Sequence, residues 1–375
     1  MLTVEKLDTQ MKAQRRRFSH IPFQFYSNTP QWVPPILIDV EAALDRQKHP
    51  FYQHSEADFF IATRDGRDVG RLAVMDNKRY NEYHHTKRAQ FYYFESENSL
   101  ETAQALFERG FDWAHGRNLD EIIGPKGFAA LDGYGMLVEG FEHRQMMTMM
   151  NYNQPYLPKL VEALGFEKEV DFISCYAEPE TFQMPERIFS IADRVEKKGV
   201  LTVKRFTSKK ELKAWAPRIG RTYNQSFINN WEYYPLTDNE IKFVVDNILT
   251  VADHRLIKII MHGEDVIGFM FAFPDLSPAL QRSKGSLFPF GIVDILLELR
   301  RRDWVSINGA GVLPEFQGRG GNALLYAEMG RTIRDFGFTH AEMTQVAETA
   351  VQMRNDLVNL GGKPYKNHRV YHKKI

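Results

Sequence analysis

The residues best suited to chemistry run from Ser306 to Asn322, in the order Ser-Ile-Asn-Gly-Ala-Gly-Val-Leu-Pro-Glu-Phe-Gln-Gly-Arg-Gly-Gly-Asn. The first part reads as a strand, the middle as a tight glycine turn, and the end as the start of a helix near Asn322. Gly318, Gly320 and Gly321 have no Cβ where a ligand would approach the backbone, and glycine tolerates positive φ. The first N–H groups of a helix have no intrahelical partner, and the positive end of the dipole adds to them. The turn therefore suits an anion such as a phosphate or pyrophosphate. The competing reading is a plain strand–turn–helix whose glycines only make the bend. Two phosphate motifs are excluded. A P-loop needs Gly-Lys-Ser/Thr, and no such lysine and hydroxyl follow here; a dinucleotide fingerprint fails at its third glycine, because Pro314 follows Gly309-Ala-Gly-Val-Leu.

What remains is Val312-x-Pro314-Glu-x-Gln317-x-x-Gly320, followed by a glycine-rich helix start. This resembles motif A of the GNAT (Gcn5-related) N-acyltransferases, with Gln317, Gly318, Arg319 and Gly320 matching and Asn322 standing where Gly or Ala is usual. In that family the loop amides hold the pyrophosphate of acetyl-CoA, and the preceding strand splays to bond the pantetheine arm. The resemblance thus implies a cofactor-binding set of Val312, Leu313, Gln317, Gly318, Arg319, Gly320, Gly321 and Asn322. It also implies an N-acetyltransferase chemistry in which an amine attacks the thioester in a ternary complex, with acetyl-CoA (or another acyl-CoA) as cosubstrate. The family's usual acid is a Tyr four residues before a helix-ending Gly; that position is Leu357 here. Glu348 and Tyr365 are the substitutes, each with a structural alternative: a helix-start carboxylate for Glu348, a packed strand residue for Tyr365. Tyr223, Asn230 and Trp231 fall in the acceptor-side loop, where they line a substrate pocket or pack between domains.

These residues must be positioned by a chain of 375 residues, long enough for two domains. Hydrophobic residues at 43% and charged residues at 26% are ordinary for a globular protein. The formal net charge is zero, so nothing points to nucleic acid or an acidic membrane surface as partner. The same neutrality argues against a third reading, a transferase that uses charged tRNA. Cys175 is the only cysteine, so no intrachain disulfide can form, which suits a cytoplasmic protein. No signal peptide opens the chain, and no apolar run reaches the length of a membrane span. His49 and His54 lack further ligands at metal spacing, so no metal is expected.

The coarse element order repeats. Gly66-Arg-Asp-Val-Gly70 and Gly263-Glu-Asp-Val-Ile-Gly268 each lie between apolar runs that read as hairpin strands. Leu164-Gly165 and Leu360-Gly361 each end a helix late in their half. Asn98 with Glu101 reads as the start of a first-half helix. Each half reads β, α, α, β, β, β, α, β, α, β, with insertions at 126–150 and 274–302. This is the GNAT order. The expected fold is α/β (an α+β mixed sheet) made of two tandem GNAT-like domains, each a mostly antiparallel mixed sheet flanked by helices. A linker at Pro179–Pro185 divides them, residues 1–178 forming a degenerate domain without the pyrophosphate loop and 179–375 the domain with the acyl-CoA site. Glu95 and Glu97 stand where that loop would be in the first half, and carboxylates there would repel a diphosphate. The resulting expectation is an acyl-CoA-dependent N-acyltransferase acting on a small-molecule or peptide amine, as a monomer or homodimer. The alternative is a non-catalytic acyl-CoA sensor or partner-binding module on the same fold.

Overall fold

The computed structural model describes residues 1–128, 132–147, 150–177, 184–231, 233–301 and 303–375; most of the expected linker at 179–185 lies outside them. The chain divides into two compact units, discontinuous in sequence. Unit 1 holds residues 1–173, 276–297 and 366–375; unit 2 holds 174–275 and 298–365. Two later segments therefore return to unit 1, where one boundary at 178 was expected.

In chain order the strands are β1 (Leu2–Lys6), β2 (Glu56–Arg64), β3 (Arg67–Asp76), β4 (Arg88–Ser96), β5 (Glu121–Gly124), β6 (Met136–Glu139), β7 (Glu167–Ala177), β8 (Thr202–Lys204), β9 (Ile257–His262), β10 (Asp265–Pro274), β11 (Trp304–Val312), β12 (His340–Ala347) and β13 (Lys363–Lys374). The helices are α1 (Lys12–His20), α2 (Pro22–Tyr26), α3 (Leu37–Ala43), α4 (Lys78–His84), α5 (Leu100–His115), α6 (Tyr156–Ala163), α7 (Glu186–Lys198), α8 (Lys209–Ser226), α9 (Asp238–Val251), α10 (Ser277–Ser283), α11 (Gly291–Arg301), α12 (Gly321–Phe336) and α13 (Val351–Asn359).

The two units share one sheet plan. In unit 1, β1, β2, β3 and β4 pair antiparallel in sequence, and β4 then runs parallel to β5. In unit 2, β8, β9, β10 and β11 pair antiparallel, and β11 runs parallel to β12. The central hairpin has a two-residue turn in each. Asp65 (φ 49°) and Gly66 (φ 79°) close β2–β3, and Gly263 (φ 56°) with Glu264 closes β9–β10. Left-handed residues at those places match the twist of the strands they join. The helix after the fourth strand, α5 or α12, is the crossover that a parallel pair requires. This is the expected element order, with additional short elements inserted.

Each sheet is covered on both faces. In unit 2, Ile260, Ile267, Met270, Val305 and Val312 pack with Leu324 and Leu325 of α12 and Ala192 of α7. The opposite face presents Ile259, Met261, Phe269 and Phe273 to Leu212 and Ile219 of α8. Fully burying side chains of this size contributes roughly 1.5–3 kcal/mol each, so the strands that carry the glycine loop are held from both sides. Among the described residues no helix is long and apolar enough to cross a membrane.

Candidate functional site

The site is built on β11. Its ladder with β10 slips by one residue: Phe271 lies opposite Gly309, but Ala272 lies opposite Ile307. Asn308 is the extra residue, a β-bulge that bends the strand. On its other edge β11 pairs with β12 only as far as Ile307↔Met343, and the Thr344 hydroxyl donates to the Ile307 carbonyl at 2.9 Å. Beyond that point β11 continues to Val312 and β12 to Ala347 outside the parallel ladder. Gln345 (φ 46°) turns β12 at this end, with its N–H donating to the Ser174 hydroxyl at 3.1 Å. A left-handed non-glycine inside a strand marks a forced departure from regular pairing. The bulge and the turn together part the two strands and leave the β11 edge from Gly309 to Val312 outside the parallel ladder.

At the end of β11 the chain enters the glycine loop. The Leu313 N–H donates to the Ile267 carbonyl at 2.8 Å, and the Gln317 side-chain amide donates back to the Val312 carbonyl at 3.2 Å. Gly318 (φ 74°) and Gly320 (φ 89°) are both left-handed. Gly320 is the N-cap of α12, which has no side-chain cap, and the first backbone bond into the helix runs from the Leu324 N–H to the Gly320 carbonyl. The N–H groups of Gly321, Asn322 and Ala323 precede that bond, so they are the donors a helix start leaves over. Gln317, Gly318, Arg319 and Asn322 are exposed, and the Arg319 guanidinium stands 5.1 Å from the centre of the Phe316 ring. Val312 and Leu313 bury their side chains in the core, so only their backbone is available to a ligand.

Gly318 and Gly320 serve different ends. A Cβ on Gly318 would meet nothing within 4 Å. A Cβ on Gly320 would lie 2.6 Å from Cγ2 of Val195 on α7. The side-chain space at Gly320 is therefore taken by a helix packed against α12, not left for a ligand as the glycine pattern alone suggests. Two ion pairs fix α12 in place. Asp193 of α7 accepts from Arg331 at 2.9 Å, and buried Glu328 accepts from Arg205 at 2.7 and 3.0 Å. Burial pushes the Glu328 carboxyl upward, but the bonds from Arg205 and Arg331 outweigh it and hold the group below its ordinary range.

The corresponding place in unit 1 is closed. β4 also bulges, the ladder with β3 slipping between Arg71↔Glu95 and Ala73↔Tyr92 around the left-handed Tyr93 (φ 50°), and its parallel ladder with β5 ends at Gln90↔Ile123. The N-cap of α5 is Ser99, one residue after the expected Asn98, and its hydroxyl accepts the Thr102 N–H at 3.3 Å. Glu97 accepts from the Thr102 hydroxyl at 2.6 Å, and Glu95 is bonded by the Tyr26 hydroxyl at 2.7 Å. The start of this helix is thus capped from within, with the Glu97 carboxylate bonded to its first turn and Glu101 in that turn, whereas the start of α12 has no side-chain cap and no acidic residue in its first turn.

The remaining predicted residues are dispersed. Tyr223 of α8 packs in an aromatic group, 4.7 Å from Phe227 and 5.9 Å from Phe269 between ring centres, and burial raises its hydroxyl pKa. Asn230 is exposed and Trp231 half-buried in the turn leading from α8 to α9. The end of α8 does reach the site strand: a Cβ on Gly311 would be 2.9 Å from the Ser226 Cβ. Glu348 is half-buried in the turn after β12; α13 begins only at Val351, so Glu348 is not the helix-start carboxylate expected of it. Tyr365 donates its hydroxyl to the carboxylate of Glu342, and its ring centre is 5.2 Å from that of Tyr176. Leu357 is a buried core residue. A tyrosine does face α13, but from α12: the Tyr326 hydroxyl donates to Asp356 at 3.3 Å. Burial pushes the Cys175 thiol up to about 11, so it stays protonated at neutral pH.

Asn308 and Gly309 fall within the strand the sequence singles out, though with no role of their own there, and Glu342 carries no motif. Glu342 is fully buried in β12, opposite Ser306; the signal available was a lone acid between apolar strand residues in His340-Ala-Glu-Met-Thr344. Among the described residues no group of three or more His, Cys, Asp or Glu is arranged to hold a metal ion.

No protein-family model matches the chain. Over 372 residues it is 28% identical to the bacterial ceramide synthase of Caulobacter vibrioides, covering 97% of this chain and 95% of that protein. It is 24% identical over 371 residues to protein YghO of Escherichia coli, covering 96% and 93%. Among solved structures, a tandem GNAT protein from the clavulanic acid biosynthesis pathway superposes with a TM-score of 0.57 at 12% identity, covering all of this chain and 98% of that one. A GCN5-related N-acetyltransferase from Sphaerobacter thermophilus superposes with a TM-score of 0.52 at 11% identity, covering 100% and 95%.

Proposed function

On this tandem GNAT fold, we propose an acyl-CoA-dependent N-acyltransferase whose thioester site lies in unit 2. The observation that carries the reading is the parting of β11 from β12 at a bulge, leading straight into an uncapped helix start. An unpaired strand edge offers N–H and C=O groups to an extended amide-bearing arm, and the α12 start offers donors to a diphosphate. Coenzyme A has both parts, in that order. Gly318, Arg319, Gly320, Gly321 and Asn322 would hold the pyrophosphate through their N–H groups, and residues 309–312 would hold the pantetheine arm.

The chemistry asked of the chain is modest. The amine nitrogen attacks the thioester carbonyl, the C–S bond breaks, and the proton the nitrogen gives up ends on the departing thiolate, leaving the amide and free CoA thiol. A thiol of ordinary pKa is a fair leaving group, so positioning is the main contribution, worth several kcal/mol. The similarity to a ceramide synthase extends over nearly the whole chain. A ceramide is a fatty amide of a long-chain amino alcohol, so this similarity supports a fatty acyl donor and a long-chain amine acceptor over acetyl transfer. Use of acyl-CoA would place the reaction in the cytoplasm.

One observation favours the second reading, a non-catalytic acyl-CoA sensor: Leu357, a buried core residue, occupies the place of the family's usual acid. Incubating the protein with acetyl-CoA or palmitoyl-CoA and a panel of amines, with thiol release and amide mass both recorded, separates the two. The enzyme reading expects free CoA and a new amide, fastest with the long-chain pair. Binding without release supports the sensor, and no binding of either thioester rejects both.

A further inference from the structure

The insertion between β10 and β11 has its apolar face turned outward. On α11, Gly291, Ile295 and Glu298 are buried, at helical spacing, while Ile292, Val293, Leu296 and Leu297 are exposed. Phe288 and Phe290, just before the helix, are 68% and 75% exposed. A helix at a protein surface ordinarily does the reverse and shows solvent its polar stripe. An apolar group of this extent marks an interaction surface.

The segment is held firmly. The Gln281 side chain donates to the carbonyls of Pro30 and Trp32 at 2.7 and 2.8 Å, and the Leu37 N–H donates to the Gly285 carbonyl at 3.0 Å. Ile38, next to that contact, is also exposed. The charges around the patch are sorted. Arg282, Lys284, Arg300 and Arg301 are all exposed. The two carboxylates of α11 are withdrawn: Asp294 is half-buried and pairs with Arg282 at 3.2 Å, and buried Glu298 pairs with Arg301 at 3.7 Å. Over residues 282–301 the four cations Arg282, Lys284, Arg300 and Arg301 stand against the two carboxylates Asp294 and Glu298, a local excess of two that the neutral total charge conceals, with exposed Asp303 just beyond it and exposed Asp39 beside Ile38.

We infer that residues 284–301 dock the protein on the surface of an anionic phospholipid bilayer, with Phe288, Phe290 and the outer face of α11 in the headgroup–acyl boundary and the basic residues among the phosphates. A surface of apolar side chains rimmed by Arg and Lys is the composition that seats a helix in a membrane interface, and basic residues near anionic lipid add to the attraction. A second copy of this chain is disfavoured as the occupant, because a symmetric contact would bring two basic rims together. The inference rests on this patch and not on the acyl-transfer reading, and its assay contains no substrate.

Vesicles of phosphatidylcholine with 30% phosphatidylglycerol, and vesicles of phosphatidylcholine alone, are sedimented with the full chain over a lipid titration. The wild type is expected to bind the anionic vesicles and to release with added salt. Phe288→Ser with Phe290→Ser should lower the partition coefficient at least tenfold, since both rings leave the boundary. Leu296→Ser with Leu297→Ser is the second variant, should the first fail to fold. Wild-type protein that ignores anionic vesicles, or either folded variant binding as the wild type does, overturns the inference. So does a dimer in sedimentation velocity, without lipid, that both variants abolish while the wild type binds no vesicles.

Discussion

Gly309→Val separates the proposed ligand path from the fold. Gly309 lies one residue past the bulge, opposite Phe271, at the start of the β11 edge that has lost its parallel partner. Its φ is not left-handed, and a Cβ there would meet nothing within 4 Å. A valine is therefore compatible with the strand, and replacing glycine at a compatible position restricts the unfolded chain, stabilising by about 0.4–1 kcal/mol. Chemical denaturation should show stability unchanged or raised by that amount. If the pantetheine arm runs along this edge, the isopropyl group displaces it from one or two backbone bonds, each worth roughly 0.5–1.5 kcal/mol. That corresponds to a loss of about 2- to 150-fold in acyl-CoA affinity, measurable by calorimetry. Neighbouring glycines serve as contrasts. A Cβ on Gly311 would be 2.9 Å from the Ser226 Cβ and 3.0 Å from the Phe269 ring, so Gly311→Ala should cost about 1–3 kcal/mol of stability. Gly320→Ala combines a left-handed φ with a 2.6 Å approach to Val195 and should also destabilise. A stable Gly309→Val protein that binds acyl-CoA as tightly as the wild type would refute the proposed path.

Two further perturbations act on buried polar groups. His368 in β13 is fully buried, with its Nε2–H donating to the Asn151 carbonyl at 2.9 Å, and burial pushes its pKa down to about 4. The unfolded ring titrates near 6.5, so between pH 6.5 and 4 the unfolded state binds more protons and stability falls as pH falls, by about 3 kcal/mol in total; His368→Asn should flatten that part of the pH–stability curve, and an unchanged slope would assign it to other groups. Tyr365→Phe removes the hydroxyl that donates to the buried Glu342 carboxylate. The expected result is a loss of about 1–3 kcal/mol in stability with kcat altered less than threefold, whereas a large loss of kcat at unchanged stability would move Tyr365 into the proton transfer.

The element order was legible because it rests on local signals. Asp65-Gly66 and Gly263-Glu264 are turn sequences between apolar runs, and their recurrence exposed the repeat. The glycine loop was legible for the same reason. What stayed hidden are relations between distant segments. The bulge at Asn308 is a slip in pairing with β10, and the end of the β11–β12 ladder depends on a left-handed Gln345; neither residue type announces this. Gly320 looked like a ligand glycine because α7, which fills its side-chain space, lies more than a hundred residues upstream. Asn98 and Ser99 are both good helix caps, and only the geometry selects Ser99. Glu348 lies three residues ahead of the helix that its sequence context suggests for it.

The acyl-CoA site stands or falls on the N–H groups of the loop meeting a diphosphate, and selective labelling with 15N-glycine reads them directly. Coenzyme A should shift the amide resonances of Gly318, Gly320 and Gly321, assigned by single substitution, while pantetheine, which lacks the diphosphate, should leave these three in place. Loop resonances that stay fixed with coenzyme A, or that move equally with pantetheine, would contradict the assignment of this loop to the pyrophosphate.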